Sequence, residues 1–169
     1  MAISILILYD PKGSAIGSLA EAIAQGVERH DLSRAQLKTI ESATTYDLVT
    51  SDAIILGSPN WSGITGTLKD WLDEQGDLWE EGSLSGKPGA AFTTGWGRHS
   101  GLEITLLQLI HWMLACGMLI VGLPWSTTMK ESGSYYGATA TAGINESDLA
   151  QAEALGFRVA KFASQLQVG

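Results

Sequence analysis

The sequence predicts an α/β protein with a doubly wound, five-stranded parallel sheet that is covered by helices on both faces. Short apolar runs alternate along the chain with longer segments in which apolar residues recur at helical spacing. The runs are largely continuous, which is typical of parallel strands that are buried on both sides. The 169 residues contain no repeat, low-complexity tract or linker, so a single domain spanning residues 1–169 is expected.

The elements are predicted in alternating order. The strands are predicted at Ile3–Tyr9, Gln36–Ile40, Ala53–Gly57, Gly89–Thr93 and Met118–Val121. The helices are predicted at Ser14–His30, Thr45–Thr50, Thr67–Gln75, Leu102–Cys116 and Ser147–Gln167. In the last helix Leu149, Ala152 and Leu155 share one face, and Ser147 is the candidate N-cap. The segment from Gly122 to Glu146 is predicted to be irregular and is a candidate active-site loop.

The composition excludes several classes of function. A net charge of −8 argues against binding to nucleic acid or to anionic membranes. The single cysteine, Cys116, excludes a disulfide framework and favours a cytoplasmic location. Residues 102–121 are strongly apolar, but Glu103 and His111 lie within them and Gly117 interrupts them. A buried helix running into a strand therefore explains them better than a membrane span. Three scattered histidines give no metal-ligand spacing, so no metal is expected.

Glycine-containing loops follow the first, third and fourth predicted strands, and their sequences are DPKGSAIG, SPNWSGITG and TGWGRHSG. Ligands of such sheets bind outside the carboxyl ends of the strands, where the strand order reverses, so these loops predict the ligand site. Two of the loops carry a tryptophan, Trp61 and Trp96. A flat ligand ring is one candidate to cover an indole in a loop. For Trp61, a lid over the core or a subunit contact is the alternative.

The first loop leaves two interpretations open. The amides of Gly13 to Ile16 lie at a predicted helix N-terminus, which favours an anion, and Lys12 adds a positive charge. The loop lacks both the GK[ST] ending and the GxGxxG pattern, so an ordinary strand–helix turn is equally compatible. In the third loop, Arg98 and His99 are candidates for a dinucleotide phosphate, with simple solvation of the arginine as the alternative.

Taken together, several segments resemble the flavodoxin-like superfamily, and in particular the WrbA-type NAD(P)H:quinone oxidoreductases. The segments are ILILYD, LAEAIAQGV, SDAIILGSPNWSGITGTLKDWLD, GDLWEEGSLSGKPGAAFTT, ACGMLIVG and YYGATATAG, and together they cover most of the chain. The first is general to flavodoxin-like folds. The DAIILGSP strand, the GDLW segment and the YGAT motif are more specific in combination.

The resemblance implies a strand order of 2-1-3-4-5, non-covalently bound FMN, and a homodimer or homotetramer. The positions that correspond to the FMN phosphate loop are Pro11, Lys12, Gly13, Ser14, Ala15 and Ile16. Those on one side of the isoalloxazine ring are Ser58, Pro59, Asn60, Trp61, Ser62 and Gly63, and those on the other are Thr93, Thr94, Gly95, Trp96 and Gly97. Trp79 corresponds to a tryptophan that reaches a neighbouring subunit's site, and Tyr136 lies near the site entrance.

The phosphate loop departs from the family pattern. Pro11 stands where a Ser or Thr is usual, which removes both a hydroxyl and a backbone donor. Each lost hydrogen bond to a charged oxygen costs about 1.5–3 kcal/mol. Lys12 and Ser14 offset part of that loss, and FMN binding weaker than the family norm is expected.

Further departures lie elsewhere in the site. The pair Trp61-Ser62 replaces an Arg-Phe pair beside the flavin, and Cys116 or Ala115 corresponds to a histidine near the ring. The segment between the second and third strands is also shorter than in the quinone reductases.

Three functions follow from this comparison. The first is an FMN-dependent oxidoreductase that passes electrons from NAD(P)H to a quinone or a similar flat acceptor. The second is a flavodoxin-type electron carrier, which the acidic surface suits and which does not oxidise NAD(P)H. The third is a relative with weak or lost FMN binding, which the altered phosphate loop motivates.

Overall fold

Strands and helices alternate along the chain, as the sequence predicts. The computed structural model describes residues 2–167. Its elements, in chain order, are β1 (Ile3–Tyr9), α1 (Ser14–Glu28), β2 (Ser33–Thr39), α2 (Thr45–Thr50), β3 (Ala53–Pro59), α3 (Gly66–Asp73), α4 (Gly76–Glu81), β4 (Pro88–Gly95), α5 (Leu102–Ala115), β5 (Leu119–Ile120), a 3-10 turn (Thr127–Lys130), β6 (Gly137–Thr141) and α6 (Glu146–Leu166).

The strands form one parallel sheet in the order β2-β1-β3-β4-β5, which confirms the predicted fold class and strand order. The central strand β1 pairs with β2 on one side and with β3 on the other, with Ile5 opposite Ala53 and Tyr9 opposite Gly57. The order therefore reverses at β1 and β3. The loops that leave the carboxyl ends of these two strands diverge and open a crevice.

Two separate segments share the fifth position of the sheet. The short strand β5 pairs with Pro88–Gly89 at the start of β4, whereas β6 pairs with Ala91–Gly95 further along the same strand. The sequence prediction missed β6 and assigned its residues to an irregular segment. The run GATAT has no large apolar side chain, and at Gly137 a Cβ atom would lie 2.0 Å from the Ala91 carbonyl oxygen.

Side chains of the strands alternate between two cores. Ile5 and Ile7 of β1 point to the face covered by α1 and α6, and Leu6 and Leu8 point to the face covered by α3 and α5. All four side chains are fully buried. Helices on both faces explain why the strand runs are continuously apolar.

Glycines bring α1 and α6 into close contact. A Cβ atom at Gly26 would lie 2.0 Å from the Glu153 carbonyl oxygen, and one at Gly156 would lie 2.0 Å from the Ile23 carbonyl oxygen. The two backbones therefore approach more closely than side chains would allow at these positions.

Two helix assignments differ from the sequence prediction. The short helix α4 was not predicted, because it lies in an acidic run without a clear apolar stripe. The N-cap of α6 is Asn145 rather than Ser147. The Asn145 side chain accepts the Asp148 N–H at 2.9 Å, and the Asp148 carboxylate accepts the Asn145 N–H at 3.1 Å, which completes a capping box. The Ser147 hydroxyl donates to Glu131 instead.

The apolar segment 102–121 folds as the helix α5 followed by the strand β5, as predicted. Within residues 2–167, none of the helices combines the length and apolar character that a bilayer span requires.

Candidate functional site

Three loops enclose a cavity of about 510 Å³ at the carboxyl edge of the sheet. This volume falls within the range of roughly 300–1,000 Å³ that is usual for small-molecule sites. The lining residues come from the loops after β1, β3 and β4 and from the chain that follows β6. They are Lys12, Gly13, Ala15, Pro59, Asn60, Trp61, Ser62, Thr94, Gly95, Trp96, Ser100 and Ala142.

The loop after β1 presents an open helix N-terminus. The N-cap of α1 is Gly13, which has no side chain to bond the amides of the first turn. Its φ of 114° favours glycine, and a Cβ atom added there would meet nothing within 4 Å. The first turn of α1 thus has no side-chain cap at the positive end of the helix dipole, where an anion is stabilised.

A buried carboxylate fixes this loop to its neighbour. Asp10 is only 3% exposed, and its side chain accepts the Lys12 N–H at 2.9 Å and the Thr65 hydroxyl at 2.5 Å. Thr65 in turn caps α3 by accepting the Leu68 N–H at 3.2 Å. Asp10 was not among the predicted site residues, although a carboxylate directly after a buried strand was visible in the sequence.

Asn60 holds the second loop against the third. Its side-chain N–H donates to the Ser100 carbonyl at 2.6 Å, and its side-chain oxygen accepts the Gly63 N–H at 3.0 Å. Its backbone N–H donates to the Thr94 carbonyl at 2.7 Å. The neighbouring Ser62 has a φ of 59°, which a non-glycine residue rarely adopts. The loop is therefore closely constrained around the cavity.

Two exposed indoles border the cavity. Trp61 is 62% exposed and Trp96 is 92% exposed, so neither serves as a lid over the core. The loop that carries Trp96 is closed by Ser100, whose hydroxyl donates to the Gly97 carbonyl and accepts the Gly97 N–H. Exposed tryptophans that line a concave site are the side chains expected beside a flat aromatic ligand.

The predicted site residues fall into two groups. Those that line the cavity are Lys12, Gly13, Ala15, Pro59, Asn60, Trp61, Ser62, Thr94, Gly95 and Trp96, which the fold brings together from three loops. Those that are not among its lining residues are Pro11, Ile16, Ser58, Gly63, Thr93 and Gly97, and the side chain of Ser14 lies outside the described part of the structure. Ile16 is fully buried, and the Thr93 hydroxyl donates to the Ser58 carbonyl, so both side chains belong to the scaffold. Ser100 and Ala142 line the cavity but were not predicted.

Arg98 makes a contact that the sequence did not predict. Its guanidinium forms two hydrogen bonds with the carboxylate of Asp148, at 2.9 and 3.2 Å. Asp148 is fully buried and also accepts the Ser132 hydroxyl. The Arg98 side chain is 33% exposed and lines a second cavity, and its contact with Asp148 ties the third loop to the start of α6.

A second cavity of about 480 Å³ lies on the other side of the third loop, and residues 98–99, 101–104 and 129–134 form most of its wall. Part of the segment that was predicted to be irregular thus lines a cavity. Tyr136, which was predicted to lie near the site entrance, lines neither of the two cavities. Trp79 lies on α4 and is 58% exposed.

The predicted position of Cys116 and Ala115 near a flavin ring is wrong. Helix α5 starts at the carboxyl edge of the sheet and ends at Ala115, and the following strand pairs with the first residues of β4. Cys116 therefore lies at the opposite edge from the cavity. It is buried, and this burial raises the pKa of its thiol.

A parallel sheet in this order, with an open helix N-terminus and two indoles at the switch point, defines a flavodoxin-like protein. The chain belongs to the NADPH-dependent FMN reductase family, whose sequence pattern matches residues 11–131. Both conclusions confirm the resemblance found in the sequence.

Known relatives cover most of the chain. It is 43% identical over 134 residues to an NAD(P)H dehydrogenase (quinone) of Archaeoglobus fulgidus, which corresponds to 79% of this chain and 70% of the relative. It is 34% identical to an NAD(P)H dehydrogenase (quinone) of Geobacter sulfurreducens over 200 residues, with 96% and 98% of the two chains covered. That alignment is longer than this chain, so the relative has segments that this chain lacks.

The fold also matches solved structures. A flavodoxin, WrbA-like protein from Agrobacterium tumefaciens superimposes with a TM-score of 0.77 at 24% sequence identity, covering 98% of this chain and 99% of that structure. At this level of identity the match supports the fold alone.

Proposed function

We infer that the protein is an FMN-dependent oxidoreductase that passes electrons from NAD(P)H to a quinone or a similar flat acceptor. The family and the names of its relatives support this function. The observation that carries the inference is the cavity at the carboxyl edge, in which an open helix N-terminus lies beside two exposed indoles.

The residues present fit FMN, which combines a phosphate with a flat aromatic ring. The first-turn amides of α1 and the ammonium of Lys12 are donors for a phosphate. Trp61 and Trp96 offer aromatic faces for the ring, and the amide of Asn60 and the hydroxyl of Thr94 offer polar groups for its edge. All seventeen predicted cofactor-binding residues, from Pro11 to Gly97, are retained in this proposal.

Bound FMN would supply the redox chemistry, namely hydride acceptance and electron transfer to the acceptor. The described residues that line the cavity include no carboxylate, histidine or cysteine. The contribution of this chain is therefore to bind the cofactor, orient its ring and limit access of water, and no catalytic residue is assigned.

The function is tested by steady-state reduction of benzoquinone with NADH and NADPH as donors, using the FMN-loaded protein. Turnover above the rate with free FMN is expected. Trp61→Ala and Trp96→Ala should each weaken FMN binding by about 0.5–1.5 kcal/mol, or roughly 2- to 12-fold. Trp125→Ala is the matched control, because Trp125 is 66% exposed but does not line the cavity. Equal rates with free FMN and with the loaded protein would contradict the proposal.

An electron carrier is the second candidate, and a surface feature favours it. Six acidic residues on and around α3 and α4 are exposed, and a basic redox partner would complement them. They are Asp70, Asp73, Glu74, Asp77, Glu80 and Glu81. The same assay separates the two functions, because a carrier would bind FMN without oxidising NADH or NADPH.

The assembly of the protein and its location in the cell are also part of the proposal. Self-association as a homodimer or homotetramer is supported by large apolar side chains on the outer face of α5, where Ile104, Leu107 and Leu114 are exposed.

A cytoplasmic location is supported by the single buried cysteine, because a chain with one cysteine forms no internal disulfide.

A further inference from the structure

Lys12 is the only charged residue among the described residues that line the cavity. Its ammonium nitrogen lies 4.8 Å from the centre of the Trp61 ring, which is within the range of a cation–π contact. One face of this indole is therefore already in contact with a charged group. A flat ligand that uses this face has to displace the ammonium first.

The rest of the first loop has little with which to hold a phosphate. Pro11 has no N–H group, and the N–H of Lys12 is already bonded to the Asp10 carboxylate at 2.9 Å. Asp10 also places a buried negative charge close to the loop, which opposes an anion. Among the cavity-lining residues, Lys12 therefore supplies the only positive charge for a phosphate, next to the first-turn amides of α1.

We propose that Lys12 makes the site selective for phosphorylated flavin over riboflavin by switching between Trp61 and the phosphate. This inference rests on the proposed function, since it concerns the cofactor of the same cavity. In the absence of an anion, the ammonium stays on the indole and covers it. A phosphate at the N-terminus of α1 attracts the ammonium, which exposes the Trp61 face for the ring.

Selectivity follows because the two flavins differ only in the group that Lys12 recognises. FMN gains a charge-assisted contact and an uncovered indole together. Riboflavin has to displace the ammonium from Trp61 and offers no anion in return. The hydroxyl that is absent at Pro11 is thus offset by a single mobile charge.

The test is calorimetric titration of the flavin-free protein with FMN and with riboflavin. Lys12→Met should weaken FMN binding by about 10- to 100-fold, because it removes a charge-assisted bond to phosphate. It should leave riboflavin binding unchanged or tighten it by up to about 5-fold, because the indole is no longer covered. Lys12→Arg should retain most of the preference for FMN.

Two controls make the result specific. Lys161→Met removes an exposed lysine on α6 and should change neither affinity. Raising the salt concentration should weaken FMN binding to the wild-type protein more than to Lys12→Met, because the charge contact is screened. Thermal unfolding of each variant confirms that it is folded.

The outcomes separate this inference from the proposed function. If Lys12→Met binds FMN as tightly as the wild type, or if it loses both flavins equally, the inference is wrong while the proposed function stands. If the wild-type protein binds neither flavin, the proposed function is wrong and the inference falls with it.

Discussion

Several single side chains in this protein hold the loops around the cavity in place. Asn60 joins the second loop to the third, and Asp10 joins the first loop to the cap of α3. Arg98 joins the third loop to α6 through the buried carboxylate of Asp148. Because each contact spans two separate loops, the shape of the cavity depends on polar side chains that do not need to touch a ligand.

The contact of Arg98 with Asp148 gives a prediction at the scale of one residue. Arg98→Met removes two charge-assisted hydrogen bonds from the buried Asp148 carboxylate, and it should lower the free energy of unfolding by roughly 1.5–3 kcal/mol. Arg29→Met is the control, because the ion pair of Arg29 with Glu153 lies at the surface and should contribute less than about 1 kcal/mol. Urea denaturation of both variants measures the difference. Equal stabilities would contradict the role given to Asp148.

Helices α1 and α6 are positioned by close contact between their backbones as well as by their apolar faces. The crossing of α1 and α6 places glycine opposite main-chain carbonyl groups in both helices. Such a contact cannot be inferred from helical periodicity, because the pattern identifies the buried face but not its distance from the neighbour.

The glycines of α1 give a prediction at the scale of this helix pair. Gly26→Ala should destabilise the protein by about 1–3 kcal/mol or more, because its Cβ atom would overlap the Glu153 carbonyl and force the helices apart. Gly17→Ala, in the same helix, should be neutral or stabilise it by up to about 1 kcal/mol, because the nearest atom is 3.6 Å away and alanine favours the helix. Thermal unfolding compares the two. A stabilising Gly26→Ala would contradict the close crossing.

At the scale of the whole molecule, the inner strands β1 and β3 were predictable because they contain continuous apolar runs, whereas the polar edge strand β2 begins three residues before the predicted Gln36. The strand β1 was predicted with its observed bounds, and the order of the sheet followed from the family resemblance. The strand β6 escaped prediction, because GATAT lacks the large apolar side chains that mark a strand. Its assignment requires the partner strand β4, which only the folded chain supplies.

The sequence predicted those site residues whose type indicates a role in a loop. It did not predict those that only the folded path of the chain brings to the cavity. Glycines and tryptophans at strand ends indicated the three loops. Ser100 and Ala142 were missed, because they reach the cavity through the path of the chain rather than through a motif. The misplacement of Cys116 has the same origin, since correspondence in sequence did not reveal that α5 ends at the far edge of the sheet.

The apolar outer face of α5 gives a prediction for the assembly of the whole molecule. Sedimentation velocity should show the wild-type protein as a dimer or tetramer of its 17.9 kDa chain. The double variant Leu107→Glu and Leu114→Glu should sediment as a monomer, because it places charge within the contact. Leu32→Glu changes a leucine that is similarly exposed but distant in sequence, and it should leave the assembly intact. A monomeric wild-type protein would contradict this prediction.

Because β5 and β6 share the fifth position of the sheet, the fold should tolerate sequence that is inserted between them. The two strands hold β4 independently, at its first and last residues, so the stretch between them is anchored at both of its ends. Exposed residues at Pro124 and Trp125 lie near the start of that stretch. A guest peptide or an entire second protein could be grafted there, and the host would keep its strand pairing because neither anchor would have to move.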